Sequence, residues 1–568
     1  MTTTRTPPPR RAVLAALLAV LMLLTGCTSL PRTGPVTASD PDLPAPQGIG
    51  LFATGPQPGA TPEEIVDGFL TASSAGIDDD FFVARQFLAG PALDTWQPLA
   101  QVHVYADAPA PLIERADDGG VRVSMSAEAS LDAAGRYTEA AETSTVEADF
   151  TLARNQDGEW RIVELADGIL ITAANFNSLY SQSGLYFLSP DQQALVPEAR
   201  WFPSENLATS LVSALLEGPS PWLQPGVTTA VPVGTRLVVE SVQLTDGIAS
   251  VDLSADALAA EGRQRAMLYA QIEATLAAVP GVQDVEIRAA GAPFELNQPL
   301  PELTSYPYTS APLTAVRDDA LVEVVQGARP RAGSELLAGI DPRDPALGYE
   351  TPVQTAVVLD GTDRLVTVPA TGDQSILLTE GPALVPPSVD RLGWVWTTPE
   401  ASDGTLTAVR SNGEAVSVDA PWLADGTVRA VRVSRDGARI AVVWESEGSV
   451  MLDVAAIVRQ GDMMPVRLGE PLSVGETMTG ATDIAWVEES MLAVLGTSPD
   501  APEPTVHLLP IGGPTTTLEP VPGAVKLTAG RGDRSLVLTT QDGRLYERNG
   551  AAWRPTAFSR LADPALPG

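Results

Sequence analysis

Cysteine and histidine are almost absent from this chain of 568 residues. It contains one cysteine, Cys27, and two histidines, His103 and His507. A single cysteine cannot form an intrachain disulfide, and a tetrahedral zinc site needs several cysteine or histidine ligands. A serine triad needs a histidine beside its serine, but the two histidines lie in strand-like segments of different predicted domains. We therefore interpret both as structural residues, and the composition argues against zinc, thiol and triad chemistry.

Lysine is equally scarce, because Lys526 is the only lysine among 35 lysines and arginines, against 71 aspartates and glutamates. The formal net charge is -36. A polyanion of this size is repelled by nucleic acid and by anionic lipid, so we expect no nucleic-acid partner. We interpret the preference for arginine as compositional bias, since no arginine cluster forms a patch. No phosphate-binding glycine-rich loop is present either.

The first residues have the pattern of a signal peptide. Arg5, Arg10 and Arg11 precede an apolar run over residues 12–24. That run is shorter than the roughly 20 residues that a membrane-spanning helix needs. A basic segment followed by a short apolar segment is typical of secretory signal peptides, and we predict one over residues 1–26.

The segment Leu24-Thr25-Gly26-Cys27 resembles the lipobox of bacterial lipoproteins. The resemblance implies cleavage between Gly26 and Cys27. It also implies a covalent diacylglyceryl group on the Cys27 thiol and an N-acyl chain, such as palmitate, on the new amino terminus. Such a protein is anchored by lipid to the extracytoplasmic face of the cell membrane. The alternatives are a plain signal peptide with an incidental cysteine and an uncleaved anchor. We expect no metal and no other cofactor.

A tether and an α+β domain follow the signal peptide. Residues 27–59 are rich in proline and glycine and predict a lipidated tether. Thr61 and Glu64 form a capping-box pattern that predicts a helix start, with a second helix over 81–88. Strand-like runs then cover 102–105, 121–125, 145–152 and 160–165, and the turn 155–158 joins the last two. This order predicts an α+β domain over 60–195 that resembles the NTF2-like fold.

Residues 200–292 predict a small α/β domain. Helical periodicity over 207–217 ends at Gly218, and two strands over 237–244 and 248–253 flank the turn pair Asp246-Gly247. A long helix and a further strand over 282–287 follow. The segments 211–219, 231–235 and 249–254 resemble the GerMN domain of sporulation and germination proteins. The resemblance implies a module for interactions in the cell envelope, without known chemistry.

Residues 310–568 contain short Val/Leu strands broken by Gly and Asp turns, with almost no helical periodicity. Leu392, Val431, Ile484 and Leu527, taken as equivalent strand positions, recur at intervals of about 40–50 residues, which is typical of a β-propeller. We predict an all-β propeller of five to seven blades, with a pair of β-sandwiches as the alternative. The fold class is therefore multidomain: an α+β NTF2-like domain, a small α/β GerMN-like domain and the propeller.

The lipobox, tether, GerMN-like segment and propeller together resemble the LpqB family of actinobacterial lipoproteins. The resemblance implies a non-enzymatic accessory protein of the MtrA–MtrB two-component system. In this hypothesis the protein is held at the membrane by its lipid and modulates the extracellular domain of an MtrB-like sensor histidine kinase.

Two other functions stay open at this point. One is binding of envelope glycans or peptidoglycan fragments, in an NTF2-like cavity or in the propeller channel. The other is a glycosidase that depends on paired carboxylates, although no pair is marked in the sequence.

Overall fold

The structure is a computed structural model that describes residues 53–568 apart from 79, 118, 142, 309, 350–353 and 370–373. The predicted signal peptide and most of the predicted tether lie outside the described residues. In the part that is described, no helix is long and apolar enough to cross a membrane.

The N-terminal domain begins with helix α1, Pro62–Ala75. Thr61 Oγ1 accepts a hydrogen bond from the backbone N–H of Glu64 at 3.3 Å, and the Glu64 carboxylate accepts one from the N–H of Thr61 at 2.8 Å. These two bonds satisfy N–H groups that the first helical turn leaves unpaired, and they confirm the predicted capping box. The second predicted helix is much shorter, because only Phe82–Arg85 (α2) is helical before the short helix α3, Pro91–Thr95.

A seven-stranded sheet covers α1. Its strand order is β6-β5-β3-β1-β7, with β2 and β4 paired to β3, and helix α4, Ala173–Leu179, follows it. The domain is α+β as predicted, while the comparison with the NTF2-like fold stays a prediction. The strands are β1 Gln101–Tyr105, β2 Leu112–Arg115, β3 Val121–Asp132, β4 Tyr137–Glu139, β5 Thr145–Arg154, β6 Trp160–Glu164 and β7 Ile169–Thr172.

The middle domain starts with a long hairpin, β8 Tyr180–Leu188 and β9 Leu195–Pro203, which runs across the predicted boundary between the first two domains. The hairpin packs on helices α5, Leu207–Glu217, and α6, Gly262–Leu276. Helix α6 connects two parallel strands in a βαβ unit, as expected for an α/β domain. The four strands of this sheet lie side by side in the order β10 Gln243–Thr245, β11 Ile248–Leu253, β12 Asp284–Ala289 and β13 Ala292–Pro293.

Six sheets follow, each built around four strands. The first sheet also contains the last strand of the chain, and the third and fourth sheets are joined by a single parallel bridge from Asp419 to Arg467. We call these sheets blades 1 to 6. Blade 1 contains β14 Leu313–Arg317, β15 Ala320–Val324 and β16 Ala328–Pro330. Blade 2 contains β17 Pro342–Leu347, β18 Ala356–Asp360, β19 Arg364–Thr367 and β20 Leu377–Glu380. Blade 3 contains β21 Ser388–Val389, β22 Trp394–Thr397, β23 Thr405–Arg410 and β24 Ala415–Asp419.

The remaining blades follow the same plan. Blade 4 has an additional short strand that pairs with its third strand. Blade 4 contains β25 Thr427–Val433, β26 Arg439–Ser446, β27 Ser449–Gln460, β28 Met464–Leu468 and β29 Leu472–Ser473. Blade 5 contains β30 Gly480–Glu488, β31 Met491–Ser498, β32 Ala501–Pro510 and β33 Thr516–Thr517. Blade 6 contains β34 Ala524–Thr528, β35 Val537–Thr540, β36 Leu545–Asn549 and β37 Ala552–Pro555, and the chain then returns to blade 1 as β38 Ala562–Ala565.

The innermost strands of the blades form a closed ring, in which β38, β17, β21, β25, β30 and β34 each contact the next, and β34 contacts β38. This ring is a β-propeller with six blades among the described residues, within the predicted five to seven. The assumed equivalence of Leu392 is wrong, because Leu392 lies in the turn after β21, whereas Val431, Ile484 and Leu527 lie in innermost strands.

Candidate functional site

The predicted site residues do not form one site. Gly26 and Cys27, predicted as the cleavage and lipidation positions, lie outside the described residues. His103 lies in β1 of the N-terminal domain and His507 in β32 of the propeller, so the structure does not bring them together. His507 is buried, and its Nδ1 lies 3.1 Å from Thr517 Oγ1 on the neighbouring strand. Within the described ranges, no group of three or more His, Cys, Asp or Glu residues could hold a metal ion.

Charged side chains meet on the propeller axis, at the end that we call the acidic end. Asp344, Arg432, Asp483, Lys526 and Asp563 each come from a different innermost strand and surround a cavity of only about 20 Å³. The Lys526 ammonium pairs with Asp344, and Arg432 Nη2 lies 3.3 Å from Asp483 Oδ1. Three carboxylates therefore share two cations in a small, partly buried space.

This imbalance shifts the ionisation of the acidic end. Burial, and then repulsion from Asp344, raise the pKa of Asp563 to about 6, although Lys526 opposes the shift. Burial disfavours charge on Lys526, but the attraction of Asp344 and Asp483 outweighs it and raises the pKa of the ammonium above its ordinary value. The acidic end thus keeps its lysine charged and carries one carboxylate that is costly to ionise.

Arg435 fills the opposite end of the axis. Its Nε donates to the Tyr306 hydroxyl at 2.7 Å, one Nη donates to the carbonyl of Ala529 at 2.8 Å, and the other donates to the carbonyl of Pro567. The rings of Tyr306, Tyr308 and Tyr349 lie 5.1, 5.3 and 5.9 Å from the guanidinium carbon. Burial raises the pKa of Tyr306 to about 12 against the opposing effect of Arg435. The cavity here is again about 20 Å³, so side chains fill the axis.

The middle domain and the propeller share one apolar core. Phe187 and Leu268 of the middle domain belong to the same buried cluster as Val443 of blade 4 and Val494 of blade 5. The turn around Gly226 inserts so closely that a Cβ added there would lie 2.8 Å from the Cβ of Ala456. Two domains joined by a continuous core are expected to move as one body, unlike domains that meet at a small polar interface.

Polar contacts reinforce the junction. Asp191, in the turn of the β8–β9 hairpin, accepts two hydrogen bonds from the guanidinium of Arg391, at 2.6 and 2.8 Å. Arg439, fully buried, donates to the carbonyls of Pro197 and Glu489 at 3.1 and 2.6 Å. Because bidentate arginine pairs restrict orientation as well as distance, these bonds fix the hairpin on the propeller.

The N-terminal domain also contacts the propeller. The Glu139 carboxylate accepts hydrogen bonds from the backbone N–H and the hydroxyl of Thr515, at 2.9 and 2.6 Å. Trp201 Nε1, at the end of the hairpin, donates to the carbonyl of Gly512 at 2.7 Å. Blade 5 therefore receives contacts from both preceding parts of the chain.

The middle domain also exposes several large hydrophobic side chains. Strand β10 is an edge of the four-stranded sheet, and large hydrophobic side chains near it are exposed to solvent. A concentration of exposed apolar residues in one short segment is typical of an interaction surface. We call this set the exposed apolar segment, and its members are Val233, Val238, Val239, Leu244, Ile248 and Leu258.

Three family models match consecutive parts of the chain. The model for the N-terminal domain of lipoprotein LpqB matches residues 55–177, the sporulation and spore germination model Germane matches 184–295, and the model for the LpqB β-propeller domain matches 315–567. The chain belongs to the LpqB lipoprotein family. The three family models confirm the predicted resemblance to this family, including the GerMN-like middle domain and the propeller.

Curated LpqB relatives agree with this assignment. Lipoprotein LpqB of Cutibacterium acnes is 27% identical over 94% of this chain and 96% of its own length. LpqB of Thermobifida fusca is 32% identical, but the match covers 48% of this chain and 46% of the relative. LpqB of Bifidobacterium longum is 31% identical, and the match covers 46% of this chain and 47% of the relative. With these last two relatives, the matched region spans about half of the relative's length.

Solved structures resemble parts of this LpqB chain at low identity. TolB from Acinetobacter baumannii is 12% identical, covers 44% of this chain and 65% of its own, and has a TM-score of 0.35. The tandem GerMN domains of GerM from Bacillus subtilis are 18% identical, and the match covers 32% of this chain and 62% of theirs, with a TM-score of 0.18. At these values the likenesses say nothing about what the LpqB chain binds.

Sequence reasoning missed the axial residues of this LpqB propeller. Lys526 is recognisable in the sequence as the only lysine, but the preference for arginine was interpreted as compositional bias, and no partner was predicted for Lys526. Asp344 and Asp563 lie 219 positions apart, and the backbone N–H of Asp344 donates to the Asp563 carboxylate. Only the closed ring of blades brings such residues together.

Proposed function

We propose that this LpqB family member is a non-catalytic, lipid-anchored accessory protein. It acts on the extracytoplasmic face of the membrane, binds the extracellular domain of a sensor histidine kinase of the MtrB type, and modulates two-component signalling. The anchor is the lipid on Cys27. The family assignment supports the lipoprotein part of this proposal, and the resemblance and the exposed apolar segment support the kinase part.

The exposed apolar segment is the observation that carries the proposal. Val239 and Leu244 are 58% and 45% exposed, and Leu244 lies in β10, which among the described residues is an edge strand. The middle domain is also packed on the propeller through the shared core. A domain that is fixed on the propeller and exposes apolar side chains can present a defined surface to a protein partner.

Membrane attachment gives such a surface its effect. Two proteins held in one bilayer meet at a raised effective concentration, so a weak interface can be occupied without high intrinsic affinity. The net charge of -36 makes direct adhesion to anionic lipid unfavourable, which favours a protein as the partner.

Crosslinking in native membranes tests the proposal. The full chain is compared with Val239→Glu and with a matched control, Val325→Glu, which places the same charge at a valine of similar exposure (52%) in blade 1. We expect Val239→Glu to reduce crosslinking to the kinase's extracellular domain at least fivefold and Val325→Glu to leave it unchanged. Equal crosslinking of all three proteins, or none above an unrelated lipoprotein, would contradict the proposal.

A second variant separates anchoring from docking. We expect Cys27→Ala to move the protein from the membrane fraction to the soluble fraction. It should also lower kinase crosslinking in cells, while added purified kinase domain still binds. An unchanged membrane fraction for Cys27→Ala contradicts the lipid anchor but leaves the docking surface to be judged by Val239→Glu.

A further inference from the structure

The N-terminal domain contains a cavity of about 300 Å³, far larger than the spaces of about 20 Å³ on the propeller axis. It lies between α1, β1, β5 and the segment that leads from β6 into β7. A volume of this order is at the lower end of small-molecule sites in proteins. Its apolar lining includes Phe69, Leu70, Phe150, Leu165, Ile169 and Leu170.

One wall of the cavity is a strand edge without a partner. Residues 145–150 of β5 pair with β3 on one side, while β6 pairs only with residues 151–154. Among the described residues, no strand pairs with the other edge of 145–150. Val146 and Ala148 are on the same face as the buried Phe150 but are only half-buried, because the cavity opens there. Backbone N–H and C=O groups on such an edge can bind the polar end of a ligand.

Two polar side chains of β1, Gln101 and His103, also line the cavity. Within the described chain, the His103 ring has no hydrogen-bond partner. Burial lowers the pKa of His103, so the ring is neutral at neutral pH and offers one donor and one acceptor. A buried or half-buried polar group that lacks a protein partner favours a ligand that supplies one.

The lip of the cavity is held in place before any ligand binds. Trp96 Nε1 donates to the carbonyl of Gly168 at 3.1 Å, and the Asp167 carboxylate accepts from the N–H of Gln97 at 2.8 Å. Gly168 has φ +98°, and a Cβ there would lie 2.3 Å from the carbonyl oxygen of Gln101. The lip can lie this close to β1 because the residue is glycine. A preformed cavity avoids the ordering cost that a flexible one incurs on binding.

The charged members of the lining are all acidic. They are Glu147, Asp149 and Asp167. The side chains of Glu147 and Asp149 alternate with Val146 and Ala148 and therefore lie on the other face of β5, close to the cavity but outside it. Arg122 lies 2.7 Å from Asp149. The remaining negative charge disfavours carboxylates, phosphates and anionic peptidoglycan fragments, and it favours neutral or cationic groups.

We propose that this cavity is a binding site for a small molecule with an apolar body and a neutral or positively charged polar end. The apolar body lies against Phe69, Phe150 and Leu170. The polar end meets His103, Gln101 and the free edge of β5. This site goes beyond the kinase-docking function and does not depend on it.

Three probes with the same apolar chain test the proposal: decanol, decyltrimethylammonium and decanoate. The full chain is used as the Cys27→Ala variant, so that no acyl chain of its own competes, and binding is measured by titration calorimetry without detergent. We expect saturable one-to-one binding of decanol and decyltrimethylammonium, and binding of decanoate at least about fivefold weaker. Decanoate binding as tight as that of the cation, or no saturable binding of either other probe, overturns the proposal.

A matched pair of variants locates the site. Ala148→Phe places a ring in the cavity, and Ala153→Phe places the same ring on an exposed position of the same strand. We expect Ala148→Phe to weaken binding about tenfold or more and Ala153→Phe to leave it unchanged. Equal effects of the two variants contradict the assignment to this cavity.

Hydrogen exchange on the unsubstituted site gives a second measurement that does not depend on how Ala148→Phe folds. We expect decyltrimethylammonium to slow amide exchange in residues 146–150 and 165–170. Slowed exchange confined to other segments, or no change at saturation, overturns the proposal.

Discussion

Asp563 shows how a single residue sets the pH dependence of the propeller. Its pKa is about 6 in the folded protein, mainly because it is buried and faces Asp344. In the unfolded chain an aspartate has a pKa near 3.9. The folded state therefore holds this proton more tightly. The free energy of unfolding therefore falls as the pH rises from about 4 to 6. Above pH 6 Asp563 is ionised in both states, and its burial as a charged group destabilises the folded state by the full amount.

We expect Asp563→Asn to raise the free energy of unfolding at pH 7 by about 2 kcal/mol and to change it little at pH 4. The amide oxygen can still accept the hydrogen bond that the N–H of Asp344 donates. Denaturant unfolding at pH 4, 5, 6 and 7 measures the effect, with Asp500→Asn in an exposed turn as the control. The interpretation fails if Asp563→Asn destabilises the protein at pH 7 or shifts all four values equally.

Arg435 is the second residue on which the axis depends. Replacing it with methionine removes the donors to the carbonyls of Ala529 and Pro567 and leaves both buried without those partners. We expect Arg435→Met to lower the free energy of unfolding by about 2–4 kcal/mol. The exposed Arg531, which also lies near Tyr306, is the matched control, and Arg531→Met should change stability by less than about 0.5 kcal/mol. Similar losses in denaturant unfolding for both variants would refute a special role for Arg435.

At the scale of elements, local chemistry was predictable and long-range pairing was not. The capping box at Thr61 and the hairpin turn at 155–158 depend on neighbouring residues, and the structure has both. The joining of β14 to β38 depends on strands about 250 positions apart, and no local pattern in the sequence contains it. The same limit hid the cavity, since His103 and Val146 are distant in sequence although each strand was predicted.

The β8–β9 hairpin is the element that ties the middle domain to blade 3. We expect Asp191→Asn and Arg391→Gln to show a coupling energy of about 1–3 kcal/mol in a double-mutant cycle, because the pair is bidentate and mostly shielded from water. Denaturant unfolding of the two single variants and the double variant measures it. Losses that add without coupling would mean that each residue acts through other contacts, such as the bond from Arg391 to the carbonyl of Asp436.

At the scale of the whole molecule, the continuous core predicts that the middle domain and blades 4 and 5 unfold together. Leu211 and Leu268 of the middle domain are fully buried in the same cluster as Val443 and Val494. Cooperative units follow shared apolar packing more closely than they follow domain boundaries in the chain. We therefore expect native-state hydrogen exchange to give α5 and β26 opening free energies within about 1 kcal/mol of each other.

Gly226 allows this expectation to be tested by substitution. A valine there would press against Ala456 and the carbonyl oxygen of Ala438 in blade 4, which lie 2.8 and 3.0 Å from an added Cβ. If the core is one unit, Gly226→Val lowers the opening free energies of α5 and β26 by the same amount, about 1–3 kcal/mol. If only α5 loses protection, the two domains are separate folding units, and the middle domain would not be a fixed platform for a membrane partner.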